Sequence, residues 1–227
     1  MSSPIAVITG ASRGIGRATA LRLSEKYAIV AAARSTTELA SLRSEIADRG
    51  GRCDVREFDL RDPGAIGAAL AGIDAEVLVN NAGLGVMKPL LEMSAEEWHR
   101  QVDVNLNALF HVTKALLPGM VARGVGDVVN IGSIAGRSAF AGGSCYAATK
   151  SGVMAFTESL MLEVRDKGVR VSVIMPGSVD TGFSTRRADT SWMLSPEEVA
   201  ESVWFTVTQP RDVLVHRLEI RAANPRK

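Results

Sequence analysis

Short runs of consecutive apolar residues alternate along the chain with longer stretches whose apolar positions recur every three or four residues. Ile5-Ala6-Val7-Ile8 reads as a buried strand, and Ala28-Ile29-Val30-Ala31-Ala32-Ala33 as a second. Arg52 to Phe58, Ala75 to Asn80, Asp127 to Ile131 and Val169 to Met175 supply four more, with Val213 to Ile220 a candidate seventh. Between them a helical period covers Arg17 to Lys26, Thr37 to Arg49 before Gly50-Gly51, Pro63 to Ala71, and Pro196 to Val207. Ala95 to Arg123 carries a longer helical pattern that Pro118 is expected to interrupt, and Ser144 to Lys167 carries another. Strands apolar at nearly every position need cover on both faces, which parallel sheets require. The alternation therefore predicts an α/β fold: a doubly wound parallel sheet of about seven strands with helices on both faces. No linker, repeat or low-complexity stretch divides the chain, so residues 1–227 read as a single domain.

The turn between the first strand and the first helix is Thr9-Gly10-Ala11-Ser12-Arg13-Gly14-Ile15-Gly16. Glycines there let the chain turn tightly and let a ligand approach the backbone. The helix N-terminus beyond offers unpaired N–H groups and partial positive charge to a pyrophosphate. At the first strand-to-helix junction of such an alternation, this pattern points to a nucleotide site.

The second strand ends at Ala33-Arg34, where a dinucleotide fold meets the adenosine ribose. A carboxylate there suits the 2′-hydroxyl of NAD; an arginine suits the 2′-phosphate of NADP. Arg34 follows Ala33, and Arg13 lies in the glycine turn on the same side. Guanidinium matches phosphate with paired hydrogen bonds, and the hydroxyls of Ser35 and Thr36 can add to them. The expected cofactor is NADP(H).

Composition removes other function classes. A net charge of +1 provides no field to attract nucleic acid or an anionic membrane. Cys53 and Cys145 are too few for a disulfide framework and have no metal-ligand spacing. No apolar run approaches the roughly 18 residues of a membrane span. Met1-Ser2-Ser3-Pro4 has no basic segment of a signal peptide, so the expected location is cytoplasmic.

The spacing G-x-x-x-G-x-G resembles the turn of the short-chain dehydrogenase/reductase family. Further motifs follow in that family's order: Asn80-Asn81-Ala82-Gly83, Asn105 in Asp103-Val104-Asn105, Ser133, Tyr146-x-x-x-Lys150, then Pro176-Gly177 and Thr181. The resemblance spans almost the whole chain. It implies a Rossmann-type fold in which Gly10, Ser12, Arg13, Gly14, Ile15, Gly16, Arg34 and Ser35 bind the cofactor. By the same resemblance, Asp59 and Leu60 lie beside the adenine, and Asn81, Ala82, Gly83 and Ile131 line the cofactor. Pro176, Gly177, Val179 and Thr181 cover the nicotinamide, with Thr181 on the carboxamide. Lys150 holds the nicotinamide ribose, and Asn105 is a water-holding member of a proton relay.

Carbonyl reduction needs a hydride at carbon and a proton at oxygen, and the cofactor supplies the first. Tyr146 and Lys150 stand at i and i+4 and share a helix face. An ammonium beside a phenol is expected to lower its pKa, so that Tyr146 can donate the proton. The Ser133 hydroxyl can polarise the carbonyl. The candidate catalytic residues are Asn105, Ser133, Tyr146 and Lys150.

By the same resemblance a short substrate lid is expected around residues 180–195, where Arg186 and Arg187 could meet an anion or be solvated surface charges. Ala139 to Gly143 would form a small apolar wall opposite, which suits a modest aliphatic or cyclic carbonyl. The expected activity is a ketone or aldehyde reductase acting on a small carbonyl or alcohol. A 3-oxoacyl-thioester reductase and a non-catalytic NADP-sensing protein are the alternatives. His99, His111 and His216 are scattered and read as structural or surface residues; Trp192 is the better substrate-facing tryptophan. The apolar helices around Ala108–Met120 and Val153–Val164 can pair across a twofold axis, so a homodimer or homotetramer is expected.

Overall fold

The computed structural model describes residues 3–182 and 189–225. Seven strands form one parallel sheet: β1 (Ile5–Thr9), β2 (Ala28–Ala33), β3 (Cys53–Glu57), β4 (Ala75–Asn80), β5 (Gly126–Ile131), β6 (Val169–Pro176) and β7 (Arg217–Ile220). Their spatial order is β3-β2-β1-β4-β5-β6-β7. Seven α-helices connect them: α1 (Gly14–Leu23), α2 (Thr36–Asp48), α3 (Pro63–Leu70), α4 (Ala95–Val102), α5 (Ala108–Arg123), α6 (Ser144–Val164) and α7 (Pro196–Val207). Among the described residues no helix is long and apolar enough to cross a membrane.

Successive side chains of a strand point to opposite faces, so each central strand feeds two cores. Ala6 and Ile8 join Leu23 of α1, Leu39 and Ile46 of α2, and Val199 and Val203 of α7. Val7, between them, packs with Ile66 of α3, Leu116 of α5 and Leu160 of α6. This two-sided burial explains the unbroken apolar runs, and the Rossmann-type arrangement expected from them is what the chain adopts. The strand order reverses between β1 and β4, which opens a crevice at the carboxyl ends of the strands.

Apart from shifts of a few residues at element ends, three features differ from the sequence reading. Pro118 does not interrupt α5 but lies inside it. Pro118 and Lys114, whose carbonyl loses its helical partner, are both exposed, so the proline sits on the solvent side of the helix rather than in the core. The real irregularity is a π-helical turn at Asp103–Asn107. At the far edge, β7 begins only at Arg217. The His216 carbonyl just before it still accepts the Val173 N–H of β6 at 2.9 Å, but further back Arg170 Nη1 takes the carbonyls of Gln209, Pro210 and Val213 at 3.1, 2.9 and 2.9 Å. The buried Arg170 is neutralised by Asp127 at 2.6 Å.

The β1–α1 turn sets the crevice floor. Gly10 and Gly14 have φ of +67° and +54°, a region that favours glycine. Gly16 has a different constraint. A Cβ there would overlap the Gly10 carbonyl oxygen and the Asn81 amide nitrogen. Gly16→Ala is therefore expected to lower stability by about 1–3 kcal/mol through overpacking. Urea unfolding measures this, and an unchanged midpoint would show that the turn opens to admit a methyl group.

Candidate active site

The crevice is a cavity of about 620 Å³ running from the glycine turn to the end of α6. Its floor is stapled by side chains. The Thr9 hydroxyl accepts the N–H groups of Asn81 and Ala82, both at 3.1 Å. Asn81 Nδ2 donates to the carbonyls of Thr9 and Gly10 at 2.9 and 3.2 Å. No side chain caps α1, so its first N–H groups are left for a ligand.

Gly10, Ser12, Arg13, Gly14 and Ile15 line this end of the cavity, as do Arg34 and Ser35 beyond β2. Gly16 does not; it is buried beneath the turn, and its contribution is the close packing of α1. Asp59 and Leu60 line the cavity with Asn81, Ala82 and Gly83. The Asp59 carboxylate is paired with Arg61 at 2.7 Å, and that hydrogen-bonded guanidinium holds its pKa below the usual carboxylate range. Asp62, not Asp59, caps α3, accepting the N–H groups of Gly64 and Ala65. Arg61, Glu38, Leu84, Arg100 and Val104 also line the cavity, and the sequence reading missed them. For Arg100 and Val104 a signal existed: they stand at i and i+4, facing the same side.

Ser133, Tyr146 and Lys150 meet at the other end with Ile131, Pro176, Gly177, Val179 and Thr181. Ser133 follows β5 and is buried; its Oγ accepts the Ala135 N–H at 3.1 Å and pairs with the Tyr146 hydroxyl. Lys150 lies one turn after Tyr146 on α6, buried, and donates to the Ile131 carbonyl at 2.8 Å. Its Nζ stands over the Tyr146 ring, 5.9 Å from the centroid.

The electrostatics correct the expected lowering of the phenol pKa. Burial pushes the Tyr146 phenol above its ordinary value, and the Ser133 hydrogen bond opposes this. Burial likewise pushes Lys150 down to about 8. The ammonium is drawn to a backbone carbonyl and the ring face, and desolvation disfavours the charged form of both groups.

Asn105 lies in the π-helical turn and outside the large cavity. Its Oδ1 accepts the Leu84 N–H at 2.8 Å; Nδ2 donates to the Leu84 carbonyl and Thr149 Oγ1 at 2.9 and 3.0 Å. A separate cavity of about 10 Å³ lies between Asn105 and Lys150. That is near the lower limit for one water, and the site is polar enough to hold it.

The segment after β6 closes against the glycine turn, where Thr181 packs on Gly14. Backbone bonds tie Asp180 and Ser178 to Leu194 at 2.8 and 3.0 Å. Arg186 and Arg187 lie outside the described residues. Trp192 is half-buried. Ala139 to Gly143, expected as an apolar wall, are not among the residues lining the large cavity; in that segment the Phe140 ring lies over Gly143, and Gly142 faces the Lys88 backbone. Cys145, beside Tyr146, is buried, with its Sγ 3.8 Å from the Trp98 carbonyl. His216 Nδ1 is 3.0 Å from the Val171 carbonyl, away from the cleft.

Known proteins resemble this chain in sequence and fold. Residues 4–192 match the short chain dehydrogenase family. The chain is 35% identical over 235 residues to the NADP-dependent 3-hydroxy acid dehydrogenase YdfG of Escherichia coli (strain K12), covering 95% of this chain and 94% of that protein. It is 34% identical over 221 residues to the 3-oxoacyl-acyl-carrier-protein reductase FabG of Vibrio harveyi, covering 90% of each. It superimposes with a TM-score of 0.91 on an alcohol dehydrogenase from the archaeon Thermococcus sibiricus complexed with 5-hydroxy-NADP, at 32% identity over 99% of this chain and 98% of that one. A family match over most of the chain and relatives about one-third identical over nearly their whole length establish that this protein belongs to the short-chain dehydrogenase/reductase family.

Proposed function

We propose that the protein transfers a hydride between NADP(H) and a small carbonyl or alcohol, acting as a ketone or aldehyde reductase. The observation that carries this reading is the meeting of Ser133, Tyr146 and Lys150 at one end of a cavity whose other end holds Arg13 and Arg34. The cavity fits the cofactor chemically. Open N–H groups of α1 suit a pyrophosphate, and Gly83 leaves room beside Lys150, whose Nζ a Cβ would approach to 3.6 Å. Arg13, Arg34 and Ser35 would hold the 2′-phosphate, Asp59 and Leu60 the adenine, and Lys150 the nicotinamide ribose. Gly177, Val179 and Thr181 would cover the nicotinamide.

When bound, the cofactor supplies the hydride to the carbonyl carbon. Ser133 donates a hydrogen bond to the carbonyl oxygen and polarises it. Tyr146 gives its phenolic proton to the same oxygen as that oxygen gains charge. A phenol kept above its ordinary pKa by burial is protonated throughout the neutral range, as an acid must be before transfer. The phenolate left behind is stabilised by the Lys150 ammonium. The small cavity between Lys150 and Asn105 supports a water through which a proton returns.

The similarity to FabG favours a second reading, a 3-oxoacyl-thioester reductase using the same residues. A non-catalytic NADP sensor is disfavoured, because it would have no need of a proton donor paired with a buried lysine. A homodimer or homotetramer through α5 and α6 is supported by exposed Phe110 and Leu162 on those helices.

A substrate panel tests the reading: ketones, aldehydes and a 3-oxoacyl thioester, each with NADPH and with NADH, and a 3-hydroxy acid run in reverse with NADP+ and with NAD+. Turnover is expected with NADPH preferred, and Arg34→Asp is expected to weaken NADPH binding and narrow that preference. An unchanged preference would remove Arg34 from the phosphate site. Reduction is also expected to decline as pH rises through about 8, where Lys150 loses its proton and ceases to stabilise the phenolate. A rate that stays level to pH 10 would remove the lysine charge from the mechanism.

A further inference from the structure

The loop between β4 and α4 passes the catalytic end of the cavity. A Cβ at Gly83 would lie 3.4 Å from Asn105 Oδ1 and 3.6 Å from Lys150 Nζ, and Leu84 lines the cavity itself. Two amide side chains, one helical turn apart, fasten this loop. Asn105 grips both the N–H and the carbonyl of Leu84. Gln101, the last but one residue of α4, accepts the Val86 N–H on its Oε1 at 2.5 Å. Two residues beyond, the Lys88 backbone meets Gly142, so the fastened stretch closes against the segment that carries Phe140 and leads into Tyr146.

Gln101 is wholly buried, and its Nε2 has no hydrogen-bond partner among the described residues. A methionine has nearly the same length and shape. It would leave the Val86 N–H unpaired, but it would also remove the orphaned amide donor. The exchange leaves the number of unsatisfied buried groups almost level, so overall stability gains little from a glutamine here. What only the glutamine provides is a fixed position for Val86. Resting on the carbonyl-reductase reading, we propose that Gln101 is a positioning residue for the carbonyl substrate: through the Val86 N–H it holds residues 86–88 as one wall of the substrate end. Asn105 still secures Gly83 and Leu84 when Gln101 is replaced, so the cofactor side of the loop stays in place.

The test uses the full chain with Gln101→Met, and Gln101→Glu as the variant that keeps an acceptor for Val86. In Gln101→Met, KM for the best carbonyl of the panel is expected to rise about tenfold, the effect of one lost hydrogen bond. NADPH affinity by fluorescence titration and Tm are expected to stay near wild type, and Gln101→Glu to restore KM. Amide hydrogen exchange at Val86 is expected to quicken in Gln101→Met whether or not a substrate has been found. An unchanged KM, or a loss of NADPH affinity and Tm in step with KM, would overturn the proposal. If the wild type binds NADPH but reduces no carbonyl, the reductase reading fails alone. Exchange at Val86 then decides for Gln101: no quickening would overturn its hold on the loop.

Discussion

The first helix approaches the end of the first strand so closely that the Gly10 carbonyl and the Asn81 amide fill the space of a side chain at residue 16. Only that approach brings the uncapped end of α1 to the strand termini, where its N–H groups face the cleft. Asn81 reaches across the contact to two carbonyls of the turn, and Thr9 returns the grip by accepting two N–H groups of the β4 loop. The glycine turn and the β4 loop are thereby one rigid floor. Every other part of the site is placed relative to it: Thr181 packs down on Gly14, and Gly83 abuts Asn105 and Lys150.

The catalytic end is held by a different balance. Lys150 is buried with, among the described residues, a single carbonyl partner at 2.8 Å, which is poor compensation for a charge removed from water. The fall of its pKa from 10.5 to about 8 corresponds to roughly 3 kcal/mol against the charged form. Between those values the unfolded chain binds the extra proton, so this burden on folding eases as pH rises from about 8 towards 10.5. Proteins retain such a group where charge develops during a reaction. Tyr146, pushed the other way by the same burial, loses its proton only when something nearby favours the phenolate. Burial thus keeps the Tyr146 phenol protonated at rest, while Lys150, with its pKa lowered only to about 8, remains an ammonium at neutral pH beside the site where phenolate charge would develop.

Much of this was legible in the sequence because it depends on local composition. Strands buried on both faces must be apolar at every position, and Ile5–Ile8 and Ala28–Ala33 are. The glycine turn and Tyr146-x-x-x-Lys150 are contiguous, so spacing alone places them. Features that depend on tertiary context were not legible. Pro118 looks like a helix breaker until its exposed side is known. The connection before β7 is held by Arg170, a strand residue that collects carbonyls from far along the chain. The direction of the Tyr146 shift required knowing that Lys150 points to Ile131 and the ring face. Gln101 reads as an ordinary polar residue on an amphipathic helix; its burial against Val86 appears only when the loop has folded over it.

The central claim is that the Tyr146 phenol delivers the proton in a hydride transfer from NADPH. The most direct test is Tyr146→Phe, comparing NADPH affinity by fluorescence titration with turnover of the best carbonyl substrate. The account predicts cofactor binding close to wild type and turnover reduced by at least the roughly 10²–10⁴-fold typical of a lost general acid. Turnover near the wild-type rate in that variant would contradict it.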